Sequence, residues 1–273
     1  MRFHLVNAFT DRPFSGNPAG VLLLPPGTWP QDAWMQNIAA EINHPETAFA
    51  LPTHSPTDWA IRWFTPTVEA TLCGHATLAT AHTLRTTHHL DGTVRFTSNH
   101  HGTLTTHADA DGTITLDFPA APTTQTPAPD GLDAALRTIP GPTYRTGPLG
   151  DLLVHLTDEK AVRHLTPDLD AIAALTTREG IRGIIVTALA QDPTRGYDFV
   201  SRFFAPANGI PEDPVTGSAH TALAPHWAAR LDRTTLTGLQ ASPRTGLVHT
   251  AVRRDRVELT GRAVTILEGT LHA

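Results

Sequence analysis

RWFTP at 62–66 is answered by RFFAP at 202–206, and CGHATLATAHTL at 73–84 by TGSAHTALAPHW at 216–227. Arg62 and Arg202 are 140 residues apart, and Gly74 and Gly217 are 143 apart, so the copies differ by three residues in the connecting loop. Both separations are close to half of the 273-residue chain. A repeat with that period and with order and residue type preserved points to a duplicated domain with a pseudo-twofold relation. Each copy must then place a small-residue helix after an Arg-aromatic-Phe strand.

The flanking pattern fits such halves. RFHLVNAF (2–9), ETAFALP (46–52) and DWAIRWF (58–64) have strand composition, while QDAWMQNIAAEI (31–42) and GHATLATAHTLR (74–85) read as helices. GTVRFTS, GTLTTHA and GTITLDF form an antiparallel meander, and the Pro-rich stretch 118–130 reads as a linker. Beyond it the pattern predicts a helix near 130–139, strands near 151–156, 183–190 and 198–204, a helix over 217–231 and a β-rich tail. The expected organisation is an N-terminal lobe over 1–118, which the closing strand 264–273 can join, and a C-terminal lobe over 119–263.

Composition then narrows the chemistry. The formal charge of −6 and the lack of a basic stretch argue against nucleic acid, since such binding needs several phosphate contacts. No apolar run approaches a membrane span and no signal-peptide pattern opens the chain, so a cytoplasmic protein with a small-molecule partner is expected. The one lysine, Lys160, lies in the polar stretch LTDEKAVRHL, a poor setting for a Schiff base. Cys73 is the only cysteine, so a two-thiol racemase cannot be built within one chain, and the absence of an internal disulfide agrees with a reducing compartment. Sixteen histidines raise the question of a metal hydrolase. The doublets His88-His89 and His100-His101 stand at loop or hairpin positions, however, and neither HExxH nor paired carboxylate spacing occurs, so no metal and no cofactor are expected.

Gly74 and Gly217 open the two small-residue helices, where outward N–H groups and the helix dipole favour an anion. A carboxylate held there would account for Gly74, His75, Gly217 and Ser218 together; close helix packing would account for the small residues equally well. Asp213 precedes the second helix in EDPVTGS, where it can serve function or stabilise a turn. Glu212 reads as solvent-facing and Glu69 as the runner-up acid. Asn17, in the SGNPAG loop, can reach a carboxylate or hold the turn.

Four stretches in order, VNAFTDRPFSGNPAGVLL, INHPETAF, CGHATLATA and EDPVTGSAH, resemble the phenazine-biosynthesis PhzF-like family, whose fold is that of diaminopimelate epimerase. The resemblance implies an α+β fold of two pseudo-symmetric lobes, each a strongly curved β-sheet wrapped around a central helix, with the active site in the cleft between them. It further implies a cofactor-independent isomerase that moves a proton or double bond on a small amino-acid-like or carboxylic acid metabolite, in secondary metabolism, and a homodimer. By motif, Glu46 matches the general base, His75 and Asp213 match residues that contact substrate and help move protons, and Gly217 with Ser218 match the carboxylate site.

The residue chemistry is compatible with those roles, because carbon acids need a base whose pKa burial has raised. Glu46 opens an apolar strand, although it can also be read as ending the preceding helix and facing water. His75 can equally be a core histidine bonded to a carbonyl. Pro45 stands where many relatives have serine, which alters the expected substrate contact. Cys73 occupies the place of a catalytic thiol in the related epimerases, but the second copy has no cysteine, so it reads as a small buried residue. Epimerisation of a small amino acid and a silent acid-binding protein are the alternatives.

Overall fold

The repeat read from the sequence is a repeat of structure. In the computed structural model, which describes residues 1–100 and 102–272, both small-residue helices start at the repeated glycine and run 15 residues. The chain separates into two units, Met1–Phe118 with Thr260–Ala273, and Pro119–Leu259.

Unit 1 contains β1 (Arg2–Ala8), β2 (Asn17–Leu23), α1 (Asp32–Ile42), β3 (Glu46–Pro52), β4 (Asp58–Phe64), β5 (Glu69–Ala70), α2 (Gly74–His88), β6 (Gly92–Ser98), β7 (Gly102–Ala108) and β8 (Ile114–Pro119). β2 and β3 are parallel, β3 and β4 antiparallel, β4 and β6 parallel, and β6 to β8 form the expected meander. The sheet curves so that β1, β2, β3 and β7 all contact α2. A helix enclosed in this way must be apolar or small all round. Accordingly Ala76, Leu78, Ala79 and Leu84 are buried together with Thr77, Thr80 and Thr83. These hydroxyls donate to the carbonyls of Cys73, Ala76 and Ala79, four residues back, at 2.6, 2.7 and 2.9 Å, so threonine enters the core without an unmet polar group. α1 lies on the other face, packing Met35, Ile38 and Ala39 with Leu22, Phe49 and Phe64.

Unit 2 contains β9 (Thr124–Thr126), α3 (Leu132–Leu136), β10 (Thr143–Arg145), β11 (Leu152–His155), α4 (Glu159–Arg163), α5 (Leu169–Glu179), β12 (Ile184–Leu189), β13 (Phe199–Ala205), β14 (Ile210–Asp213), α6 (Gly217–Leu231), β15 (Thr235–Gln240), β16 (Gly246–Arg253) and, at its end, β17 (Arg256–Gly261). Its pairings repeat those of unit 1: β11 with β12 parallel, β12 with β13 antiparallel, β13 with the short β14 antiparallel, and β13 with β15 parallel. α6 buries Ala219, Leu223 and Trp227 against Leu153, Ile185, Phe199 and Leu236. β18 (Ala263–Thr270) belongs to unit 1 and pairs antiparallel with β1.

Three local expectations change. The stretch 118–130 is more than a linker: its Thr124–Thr126 pairs with β10, and the Ala121 N–H donates to the Thr221 carbonyl at 3.0 Å. That carbonyl is the one Pro225, four residues later inside α6, cannot bond, so the connection supplies the missing donor. LTDEKAVRHL contains helix α4, capped by Asp158, whose carboxylate accepts from the Ala161 N–H at 2.8 Å; Lys160 is exposed as expected. Asn17 is the first residue of β2 and fully buried rather than in a loop. His88 ends α2 and His89 follows it in the left-handed conformation, whereas His101 lies outside the described residues.

Candidate active site

In unit 1 three elements meet at the first turn of α2. Glu46 opens β3 and pairs in register with Ala19 of the parallel β2, which starts two residues earlier at Asn17. Gly16 makes that start possible. At φ +70° a β-carbon there would stand 2.3 Å from the Ala8 carbonyl oxygen, so only glycine admits the turn into β2.

The side chains converge on His75. Its Nε2 lies 3.4 Å from Glu46 Oε2, its Nδ1 lies 3.1 Å from the Asn17 amide nitrogen, and Cys73 Sγ is 3.5 Å from the same Nδ1. His75 is 3% exposed and the Glu46 side chain 12%. Burial, the largest influence, pushes His75 down to about 3, against a hydrogen bond with the Pro18 backbone that acts the other way. Proline offers only a carbonyl, so the ring must donate to it. The imidazole is therefore neutral near pH 7, and the group beside it able to carry negative charge is the Glu46 carboxylate. Gly74 is buried in the same turn.

Two other acids of this half, Glu69 and Asp32, are committed to Arg62. Arg62 donates to both oxygens of Glu69, at 2.7 and 2.6 Å, and to Asp32 at 2.7 Å, with its guanidinium over the Phe64 ring. Glu69, the runner-up acid, is thus the partner of a buried arginine.

In unit 2 the opening of α6 carries a different set. Asp213 is 7% exposed, and its Oδ2 accepts from the Thr216 hydroxyl at 2.5 Å. Gln240 locks the turn by donating to the Asp213 carbonyl at 2.7 Å and accepting from the Thr216 N–H at 2.8 Å. Gly217 is buried, and Ser218 is half-buried with its Oγ accepting from both terminal nitrogens of Arg182 at 3.1 Å. Asp151, fully buried, holds that guanidinium through a second fork at 2.8 and 2.6 Å, and its own pKa is raised by burial in spite of the arginine. Glu212 does not face solvent as expected. Arg202 donates to both its oxygens at 2.7 and 2.8 Å, and lies over Phe204 as Arg62 lies over Phe64.

Sequence reasoning missed Arg182, Gln240 and the Arg–carboxylate forks. The forks were legible in principle, because Arg62/Glu69 and Arg202/Glu212 recur with the same 140 and 143 residue offsets as the motifs themselves.

A family profile described as phenazine biosynthesis-like protein matches residues 6–269. The chain belongs to this family. It is similar to a Pseudomonas aeruginosa protein named an uncharacterized isomerase, 44% identical over 275 residues covering 99% of this chain and 98% of that one. Among solved structures it is similar to a phenazine biosynthesis PhzF family protein of Enterococcus faecalis, with a TM-score of 0.90, 40% identity and coverage of 100% and 99%. A probable proline racemase from Agrobacterium radiobacter shares the fold at a TM-score of 0.66 and 10% identity, covering 99% of this chain and 92% of that one. The phenazine biosynthesis-like chain is therefore an isomerase-type enzyme on the epimerase-like fold that the sequence implied. Among the described residues no helix is long and apolar enough to cross a membrane.

Proposed function

We propose that this member of the phenazine biosynthesis-like family is a cofactor-independent isomerase that shifts a proton, and with it a double bond, on a small amino-acid-like or carboxylic acid metabolite. The observation that carries the reading is the Glu46 carboxylate, 12% exposed, facing a neutral buried imidazole at 3.4 Å. Glu46 takes a proton from a carbon whose electron pair moves into an adjacent unsaturated or carboxyl group. The resulting carboxylic acid returns the proton at the far end of the shifted π system, so no atom is gained or lost and no redox partner is needed. His75 orients the carboxylate and can pass the proton, while its depressed basicity leaves the first abstraction to Glu46. A positioned base contributes on the order of 10²–10⁴-fold.

In unit 2 the first turn of α6, with Gly217, Ser218 and Arg182, has the polarity to bind a carboxylate. Asp213 is held in that turn by Thr216 and Gln240, with its carboxylate at the entry of α6. Secondary metabolism as the setting rests on the family's description alone.

The test is a panel of small unsaturated and amino acids incubated with the full chain in deuterated water and followed by NMR. The proposal expects a product carrying deuterium at one carbon, at or below one equivalent, on the face from which the proton left. Inversion at an unchanged stereocentre with full label would make the chain an epimerase instead.

A further inference from the structure

Asn17 is fully buried, pairs in register with Ala8 of β1 and enters β2 straight from the Gly16 turn, so its side chain is held by two strands and a turn. Its amide nitrogen lies 3.1 Å from His75 Nδ1. An amide N–H can only donate, so the ring nitrogen that it meets must offer a lone pair. The Cys73 thiol, 3.5 Å from the same nitrogen, is a weak donor to that lone pair. A neutral imidazole carries one proton, and with Nδ1 bare it stands on Nε2.

The other side of the ring leads to the same form. Nε2 is buried and faces Glu46 Oε2 at 3.4 Å. An ionised carboxylate oxygen only accepts. A bare Nε2 would set two lone pairs against each other away from water, whereas Nε2–H offers the carboxylate a donor. The separation is long for a hydrogen bond, as catalytic contacts often are before substrate binds. The Pro18 carbonyl draws on the same ring proton.

We propose that Asn17 is a positioning residue that fixes His75 as its Nε2–H tautomer, so that the ring presents a donor rather than a base to Glu46. The tautomer stands on these contacts alone. One consequence rests on the isomerase reading above. A donor beside a carboxylate favours its charged form, so Asn17, acting through His75, keeps Glu46 ionised and ready to abstract. The opposite tautomer would pair only with a protonated Glu46, which is no base. Any proton that the ring passes is its own Nε2–H, and the one taken from carbon stays on Glu46 until it is returned.

The tautomer can be read without a substrate. In the full chain carrying histidine labelled with the heavy nitrogen isotope, two-bond proton–nitrogen NMR spectra separate protonated from bare ring nitrogens, and His75→Gln identifies the His75 signals. The expected result at pH 7 is a bare Nδ1 and a protonated Nε2. Asn17→Asp keeps the size of the side chain and turns its donor into an acceptor, so it should put a proton on Nδ1, with circular dichroism reporting its fold. A wild-type ring with its proton on Nδ1 would overturn the proposal whatever the variant does, and so would a folded Asn17→Asp chain whose Nδ1 stays bare. The consequence is read separately, with the acid accepted in the panel above: Asn17→Asp should lose at least about tenfold in exchange rate at saturating acid. A loss confined to affinity would make Asn17 a substrate contact and overturn its link to Glu46. A wild-type chain that exchanges no acid of the panel would count against the isomerase reading, while the spectra still decide the tautomer.

Discussion

Unit 1 and unit 2 share their parallel and antiparallel pairings, a 15-residue helix opened by glycine, and a buried arginine forked to a carboxylate; at the helix entry their side chains differ in kind. With the 143-residue offset, Cys73 corresponds to Thr216 and His75 to Ser218. Unit 1 thus surrounds its entry with groups that give and take protons, whereas unit 2 has hydroxyls held by Asp213, Gln240 and Arg182. The duplicated parts are those that pack. What diverged is a pair of side chains on one turn, together with the strand residue Glu46 that faces the second of them, His75.

The arginine forks test the shared frame, and they carry the largest stability effects. Arg202→Met should destabilise the chain by about 3 kcal/mol, because it strands Glu212 and also removes the donor to the Val162 and Leu165 carbonyls. Arg62→Met should cost about half as much: Glu69 is more exposed than Glu212, at 27% against 17%, and the second partner Asp32 is largely in water. Urea unfolding of the two variants gives the order, and a larger loss for Arg62→Met would break the parallel drawn between the forks.

A second effect belongs to unit 2. His155 and His226 meet Nε2 to Nε2 at 2.5 Å, beside Tyr144, Trp227 and Arg230. Burial lowers them from 6.5 to about 4 and about 3 respectively; Arg230 acts in the same direction on both, and His155 further lowers His226. Protonation therefore favours the unfolded chain. The stability from this pair is fully present above pH 6.5 and is lost as the pH falls from there toward 4 and 3. Melting temperature should fall by several °C between pH 7 and pH 5. His226→Gln should flatten that dependence, and an unchanged slope would remove the pair as its source.

Much of this frame was legible. β4, α2, α6 and the meander follow from alternation, helical period and the repeat, and both central helices begin at the glycines that open the repeated motif. β2 was not read as a strand because Pro18 and Gly20 punctuate NPAGVLL, and such residues ordinarily demote a strand. Losing β2 also lost the place of Asn17, which the loop reading left to reach a carboxylate or hold the turn and whose amide nitrogen instead lies against His75. Glu212 was misread because its partner Arg202 sits across the β13–β14 pairing, a register that composition does not reveal. The pairing of Glu46 with His75 was invisible for the same reason: the carboxylate reaches the ring only through the folding of β3 beside α2.

The smallest effect tests the hydroxyl side of the comparison. Ser218→Ala should weaken a simple carboxylate competitor about fivefold, equivalent to about 1 kcal/mol, as the loss of one hydrogen-bonding group. Calorimetric dissociation constants that do not change would remove Ser218 from anion binding and leave its role as the acceptor for Arg182.

The claim that proton chemistry resides at the unit 1 helix entry is tested most directly by solvent hydrogen exchange into an accepted acid. Wild type, Glu46→Gln and Asp213→Asn are compared in deuterated water by NMR at saturating acid. The account predicts that Glu46→Gln loses at least about 100-fold in exchange rate while still binding the acid, and that Asp213→Asn exchanges at a rate nearer wild type. Exchange that survives in Glu46→Gln and vanishes in Asp213→Asn would move the base to unit 2 and contradict it.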